Sequence, residues 1–254
     1  MIERASAIVH ACERRSREIV DALRGLSDDE MRAPSALPDW SRLTILCHIR
    51  YGTAAHLAMT PAVVHGQPTS YYPGGRVAQR PGTLEPEPGE SPTDVLDSFE
   101  RACDELYALW ETLTPSQWEQ RLIEPDDNRD LGSPSMYELA ILRLTETDVH
   151  GIDFELGLSD WSDELSHAGL PFRIGRLRLR TVPAGATGAW RLQTHEGESY
   201  GVTVSNGLIS LDTRLGAATI SGSRRDLFAL LMGRSFVGDV AGPVESFREM
   251  FPGP

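Results

Sequence analysis

The chain has 254 residues, 40% of them hydrophobic and 24% charged, ordinary proportions for a protein that buries one large core or two small ones. Its formal charge of −13 argues against a general nucleic-acid binder, which needs a surplus of basic charge, and no apolar run approaches the length of a membrane span. All 24 basic residues are arginine, which excludes chemistry that needs a lysine amine: Schiff-base aldolases, pyridoxal-phosphate enzymes and the lysine-bearing phosphate loop. That bias suits a GC-rich genome such as an actinobacterium's. The N-terminal Met1-Ile2-Glu3-Arg4 lacks the basic-then-apolar signature of a signal peptide, so a cytoplasmic location is expected.

In chain order, Ala5, Ile8, Cys12, Ile19, Leu23 and Leu26 recur at helical spacing and predict a long amphipathic helix ending near Gly25. Pro34 and Pro38 hold the next stretch extended. Ser41 is the predicted N-cap of a second helix carrying Leu43, Ile45, Leu46 and Ile49, which is expected to stop near Thr60-Pro61. Residues 61–90 hold six prolines and five glycines and predict a long loop, either a surface excursion or a functional segment. Tyr71, Tyr72, Arg76 and Arg80 in it are residue types that suit ligand contact. Ser91-Pro92-Thr93-Asp94 starts a third helix with Val95, Phe99, Leu106 and Leu109 on its stripe. Ser133-Pro134 repeats the start signal for a fourth, running through Leu139 and Leu144 towards Gly151. Cys12, Cys47 and Cys103 fall one to a helix and are expected to be small buried apolar residues rather than a disulfide or zinc framework.

After about residue 165 the texture changes. Arg173 to Thr181 alternates, as do the segments around Trp190, Val202, Ile209 and Ala218, and each predicts a strand. Ser223-Arg224-Arg225-Asp226 opens a helix closed by Gly233. The expected architecture is a four-helix bundle over residues 1–160 and a small α+β domain over 165–254.

The chemistry-bearing residues are few. Glu146 and His150, four apart on the fourth helix, project from one face, and Asp153 lies a turn further on. His48 interrupts the apolar run Ile45-Leu46-Cys47-His48-Ile49 of the second helix. Facing helices in a bundle can bring these residues together, and two histidines with one glutamate make a three-ligand zinc set whose fourth position is open to water or a thiol. A thiol held there loses its proton near neutral pH. No Gly-x-Ser-x-Gly elbow or Gly-x-Gly-x-x-Gly turn supports a serine hydrolase or a dinucleotide fold.

Ala33-Pro34-Ser35, Pro38-Asp39-Trp40-Ser41 and His48, together with Glu146-x3-His150-Gly151-x-Asp153, resemble the motifs of the mycothiol-dependent maleylpyruvate isomerase family, within the DinB-like metalloenzymes. Residues 220–234, ending Leu231-Met232-Gly233-Arg234, resemble that family's C-terminal module, which is similar to sterol-carrier folds. The resemblance implies that His48, Glu146 and His150 hold Zn2+ or another divalent metal. It further implies that mycothiol, a low-molecular-weight thiol, is the cosubstrate and that its thiolate attacks a small-molecule electrophile. The product is then either S-alkylated, by an S-transferase, or isomerised cis to trans. Asp153 is expected to orient His150. Arg76, Arg80 and Arg234 are expected to bind carboxylates of substrate or cosubstrate. Trp40 is expected to pack rather than to line the site. A metal-dependent hydrolase and a non-catalytic small-molecule-binding protein are the alternatives. Neither nucleic acid nor membrane is an expected partner.

Overall fold

The computed structural model describes residues 1–212 and 218–253, in two compact units, Met1–Ser162 and Asp163–Pro254. The first is built on four long helices, α1 (Ile2–Arg24), α3 (Arg42–Val64), α5 (Pro92–Glu111) and α7 (Met136–Asp153), with the short helix α2 (Asp28–Arg32) after α1. Both α1 and α3 pack on α5 and on α7, so the helices form a ring around a shared core. The predicted stripes supply that core: Ile8, Ile19, Leu46, Phe99 and Leu144 are all buried, each contributing about 1.5–3 kcal/mol for its removal from water. Cys12, Cys47 and Cys103 are buried free thiols, and Arg143 of α7 is buried beside Cys103, donating to its Sγ at 3.6 Å and to the Ile49 carbonyl at 3.0 Å.

Local chemistry sets the helix starts. The Ser41 side chain accepts from the Thr44 N–H, and Ser91 and Asp94 form a reciprocal cap. The fourth long helix starts two residues later than Ser133-Pro134 predicts. Ser135 with Glu138 forms the complete capping box, while the Pro134 carbonyl is taken by the Leu122 N–H at 2.8 Å. Pro61 does not end α3, which continues to Val64. Pro61 is exposed, so the backbone bond it forfeits lies on the wet side of the helix.

The connection from 65 to 90 is ordered. It carries α4 (Arg76–Gln79) and a 3-10 turn at Arg80–Leu84. Asn128 pins it by donating to the Tyr72 carbonyl at 2.7 Å and to Ser70 Oγ at 3.0 Å, and Tyr71 and Tyr72 are buried. A short helix, α6 (Pro115–Trp118), follows α5. The Glu124 carboxylate gathers the N–H groups of Asp130, Leu131 and Gly132 and closes the turn before α7.

The second unit begins with α8 (Asp163–Arg176) and a 3-10 turn at Leu177–Leu179, where the alternation from Arg173 to Thr181 predicts a strand. Leu165, Gly169, Leu170 and Ile174 supply a buried helical face. A Cβ at Gly169 would meet the Phe228 ring at 2.9 Å, so glycine lets this helix approach the segment carrying Phe228 closely. The strands β1 (Gly188–Thr194), β2 (Ser199–Ser205), β3 (Leu208–Leu211) and β4 (Ala218–Gly222) form one sheet in the order β3-β2-β1-β4. Its pairings are antiparallel except β1 with β4. Helices α9 (Arg224–Leu231), capped by Ser223, and α10 (Val244–Met250) complete the unit, and α9 packs on β4 and β1. The chain is thus a helical bundle followed by an α+β unit. Among the described residues, no helix is long and apolar enough to cross a membrane.

Candidate functional site

His48 from α3 meets Glu146 and His150 from α7. Their ligand atoms all lie within 4.8 Å of one another. Glu146 Oε2 is the hub, 2.9 Å from His48 Nε2 and 3.5 Å from His150 Nε2. The two imidazoles stand nearly perpendicular, with centroids 5.1 Å apart. On its far side, His150 Nδ1–H donates to Asp153 Oδ2 at 2.9 Å, since a carboxylate can only accept. That bond fixes the His150 tautomer and turns Nε2 towards Glu146.

Burial lowers the basicity of His48, and its hydrogen bond to Glu146 only partly opposes this. Burial also works to lower His150, but Asp153 and Glu146 together overcome it and raise the ring to about 9. Withdrawal from water works to raise Glu146, yet the two imidazoles hold its carboxyl well below the usual range.

The loop before α3 forms a wall of this site. Ser35 N–H and Oγ–H both donate to the Trp40 carbonyl, at 3.0 and 2.8 Å, and Asp39 takes a left-handed φ of 64°. The loop is tied to the end of α7 by Ala36 N–H on the Asp153 carbonyl and Arg42 Nε–H on the Phe154 carbonyl, both at 2.9 Å. Trp40 consequently stacks on His150 at 6.2 Å and meets His48 edge-on at 5.5 Å. Its reading as a packing residue missed this contact. Closeness to the Pro-Asp-Trp-Ser run, seven residues before His48, was the available signal.

Residues 12–155 match the family model described as the mycothiol maleylpyruvate isomerase N-terminal domain. The chain belongs to this family. Two solved structures share the fold of the chain: a mycothiol-dependent maleylpyruvate isomerase and its histidine-to-alanine mutant. Their TM-scores are 0.65 and 0.68 at 16% and 15% identity, with 94% of this chain and 92% of each of those covered. A third, YfiT of Bacillus subtilis, described as a probable metal-dependent hydrolase with an unusual four-helix bundle topology, covers 61% of this chain and 86% of its own at 15% identity, with a TM-score of 0.46. No curated protein matches the chain.

The motif residues of this mycothiol maleylpyruvate isomerase family member fit a divalent ion. A tetrahedral ion about 2.1 Å from its ligands sets them about 3.4 Å apart, close to the 3.5 Å between His150 and Glu146. Two imidazoles with one carboxylate suit zinc and its neighbours. Gly151, between the ligand His150 would supply and Asp153, has a packing reason. A Cβ there would come within 3.1 Å of Arg15 Cδ, and Arg15 crosses at that point to reach Asp148 at 2.7 Å.

The predicted arginines fall in both units. Arg76 is exposed on the surface, paired with Asp130 at 2.9 Å and lying over the Tyr72 ring. Arg80 lies near enough to the site for its charge to act on His48. Arg234 belongs to the second unit, beside Ser235, Phe236 and Arg248 in an open cleft, and its carbonyl accepts from Arg248.

Proposed function

We propose that this chain is a metal-dependent, mycothiol-using enzyme that adds the thiol to a small unsaturated electrophile, as a cis-trans isomerase or as an S-transferase. The convergence of His48, Glu146 and His150 within 4.8 Å, in a chain of this family, carries the reading. Zn2+ or another divalent ion held by these three side chains supplies the acidity that keeps a thiol deprotonated near neutral pH. Asp153 fixes the tautomer and aim of His150. Trp40 shields the two imidazoles on one side, which strengthens electrostatic interactions within. Arg80 supplies positive charge beside the site for a carboxylate-bearing substrate, with Arg76 at the edge of the same connection. Arg234 is assigned to substrate or cosubstrate carboxylates by family resemblance. The expected setting is cytoplasmic.

The test is thiol-dependent turnover. Zinc-loaded protein given maleylpyruvate should isomerise it with mycothiol present and not in buffer alone. A panel of other conjugated acceptors with mycothiol should reveal adducts by mass. Metal-free protein, or His48→Ala with an unchanged far-UV circular dichroism spectrum, should do neither. Full activity of metal-free protein would end this reading.

A further inference from the structure

Gly52 follows His48 by four residues on α3, and Arg143 precedes Glu146 by three on α7, so both lie one turn away from the ligand positions along the same helix faces. The Tyr71 hydroxyl enters at this level. It lies 2.8 Å from where a Cβ of Gly52 would stand, and Arg143 Nη1 is 3.8 Å from that same point. Among the charged groups that act on the phenol, Glu146 acts most strongly.

The ring is held firmly. It meets Tyr72, His56 and Tyr51 with centroids 5.0, 5.6 and 5.7 Å away, and its carbonyl accepts from the Tyr51 hydroxyl at 2.9 Å. Packing alone would be served as well by phenylalanine. Glycine within a helix is unfavourable relative to alanine, and at position 52 only a residue without a side chain leaves room for the phenol oxygen.

We propose that Tyr71 is a catalytic hydrogen-bond donor on the floor of the His48–Glu146–His150 site, aimed at the carbonyl oxygen of the electrophile. This rests on the functional reading above. When the thiolate sulfur bonds to the β-carbon of a conjugated carbonyl compound, the C=C pair shifts and the carbonyl pair moves onto oxygen. Tyr71 O–H donates to that oxygen and keeps its proton. Reversal after rotation breaks the same S–C bond and returns both pairs. Substrates are accordingly α,β-unsaturated carbonyl compounds rather than alkyl halides or epoxides, which place no charge on a carbonyl oxygen.

Tyr71→Phe keeps the ring and removes only the donor. In zinc-loaded protein with mycothiol and maleylpyruvate, kcat should fall about ten- to a hundredfold. Zinc content and the thiol dissociation constant should stay within twofold of wild type. Gly52→Ala should cause a similar loss by displacing the phenol, and the double variant should be no worse than the poorer single one. Acetohydroxamate, whose carbonyl oxygen mimics the accepting atom, provides a readout independent of turnover, binding about tenfold more weakly to Tyr71→Phe. Failure of wild type to turn over with thiol defeats the functional reading, and hydroxamate binding then decides the role of Tyr71. Equal hydroxamate affinity in the two proteins, no binding by wild type, or an unchanged kcat overturns the proposal.

Discussion

His150 shows how the neighbours of one side chain set its task. An imidazole in water titrates near 6.5; here burial is outweighed by Asp153 and Glu146, and the ring keeps its proton up to about pH 9. A divalent ion needs that nitrogen deprotonated, so at pH 7.5 each ion bound must displace close to one proton. Calorimetry of zinc uptake in buffers of different ionisation enthalpy should therefore return about one proton released, and affinity should rise about tenfold per pH unit up to about 9. No proton release would mean that His150 is not a ligand. Asp153→Asn removes the negative charge behind the ring and lets an amide NH2 compete for the Nδ1 position, so it should weaken zinc binding about 10- to 100-fold, with His150 titrating lower by NMR. Glu146, His150 and Asp153 were legible because a helix places residues three or four apart on one face. Trp40 was not: a tryptophan before a helix signals packing equally well, and only the loop geometry, with Asp39 at positive φ, turns it onto the imidazoles.

Along an element, the same regularity that reveals a site can mislead. Caps at Ser41, Ser91 and Ser223 were readable because a short polar side chain satisfies helix N–H groups that have no partner of their own. The Arg-Leu alternation after Arg173 was misread, since a few alternating residues fit a helix end and a strand alike, and burial of Leu170 and Ile174 decides for the helix. Gly151 sits in α7 where an alanine would gain about 1 kcal/mol of helix propensity. Its added Cβ would press on Arg15, held by Asp148 at 2.7 Å and by the Ser159 and Asp160 carbonyls at 3.0 and 2.6 Å. Overpacking of this kind costs about 1–3 kcal/mol, so Gly151→Ala should be destabilised by about 1 kcal/mol in urea unfolding. A stabilised variant would show that Arg15 has slack. On α3, burial outweighs the hydrogen bond to the Gly52 carbonyl and pushes His56 down to about 4. The unfolded chain takes up a proton near 6.5 and the folded chain resists until about 4, so stability falls with pH across that window. About 2 kcal/mol should be lost from this group by pH 5, and His56→Leu should flatten the profile between pH 7 and 5.

Taken whole, the molecule was legible as a helical part followed by an α+β part because short alternating segments begin around Trp190, although α8 before them keeps the helical period. What sequence could not supply was the 65–90 connection, where prolines and glycines carry no period, and where the tethers are long-range: Asn128 to Tyr72, Arg76 to Asp130. The candidate metal set belongs wholly to the first unit, Met1–Ser162, and joins α3 to α7, stretches 98 residues apart in sequence. An ion that binds only the folded bundle must therefore stabilise that unit. At a free concentration one hundred times its dissociation constant the gain is about 2.7 kcal/mol, roughly 5–10 °C for a unit of this size. Scanning calorimetry with zinc and then with chelator should move the transition of the helical unit by that amount. His48→Ala should melt at one temperature under both conditions. A zinc-induced shift that survives in His48→Ala would place the ion elsewhere, and with it the chemistry assigned to this cluster.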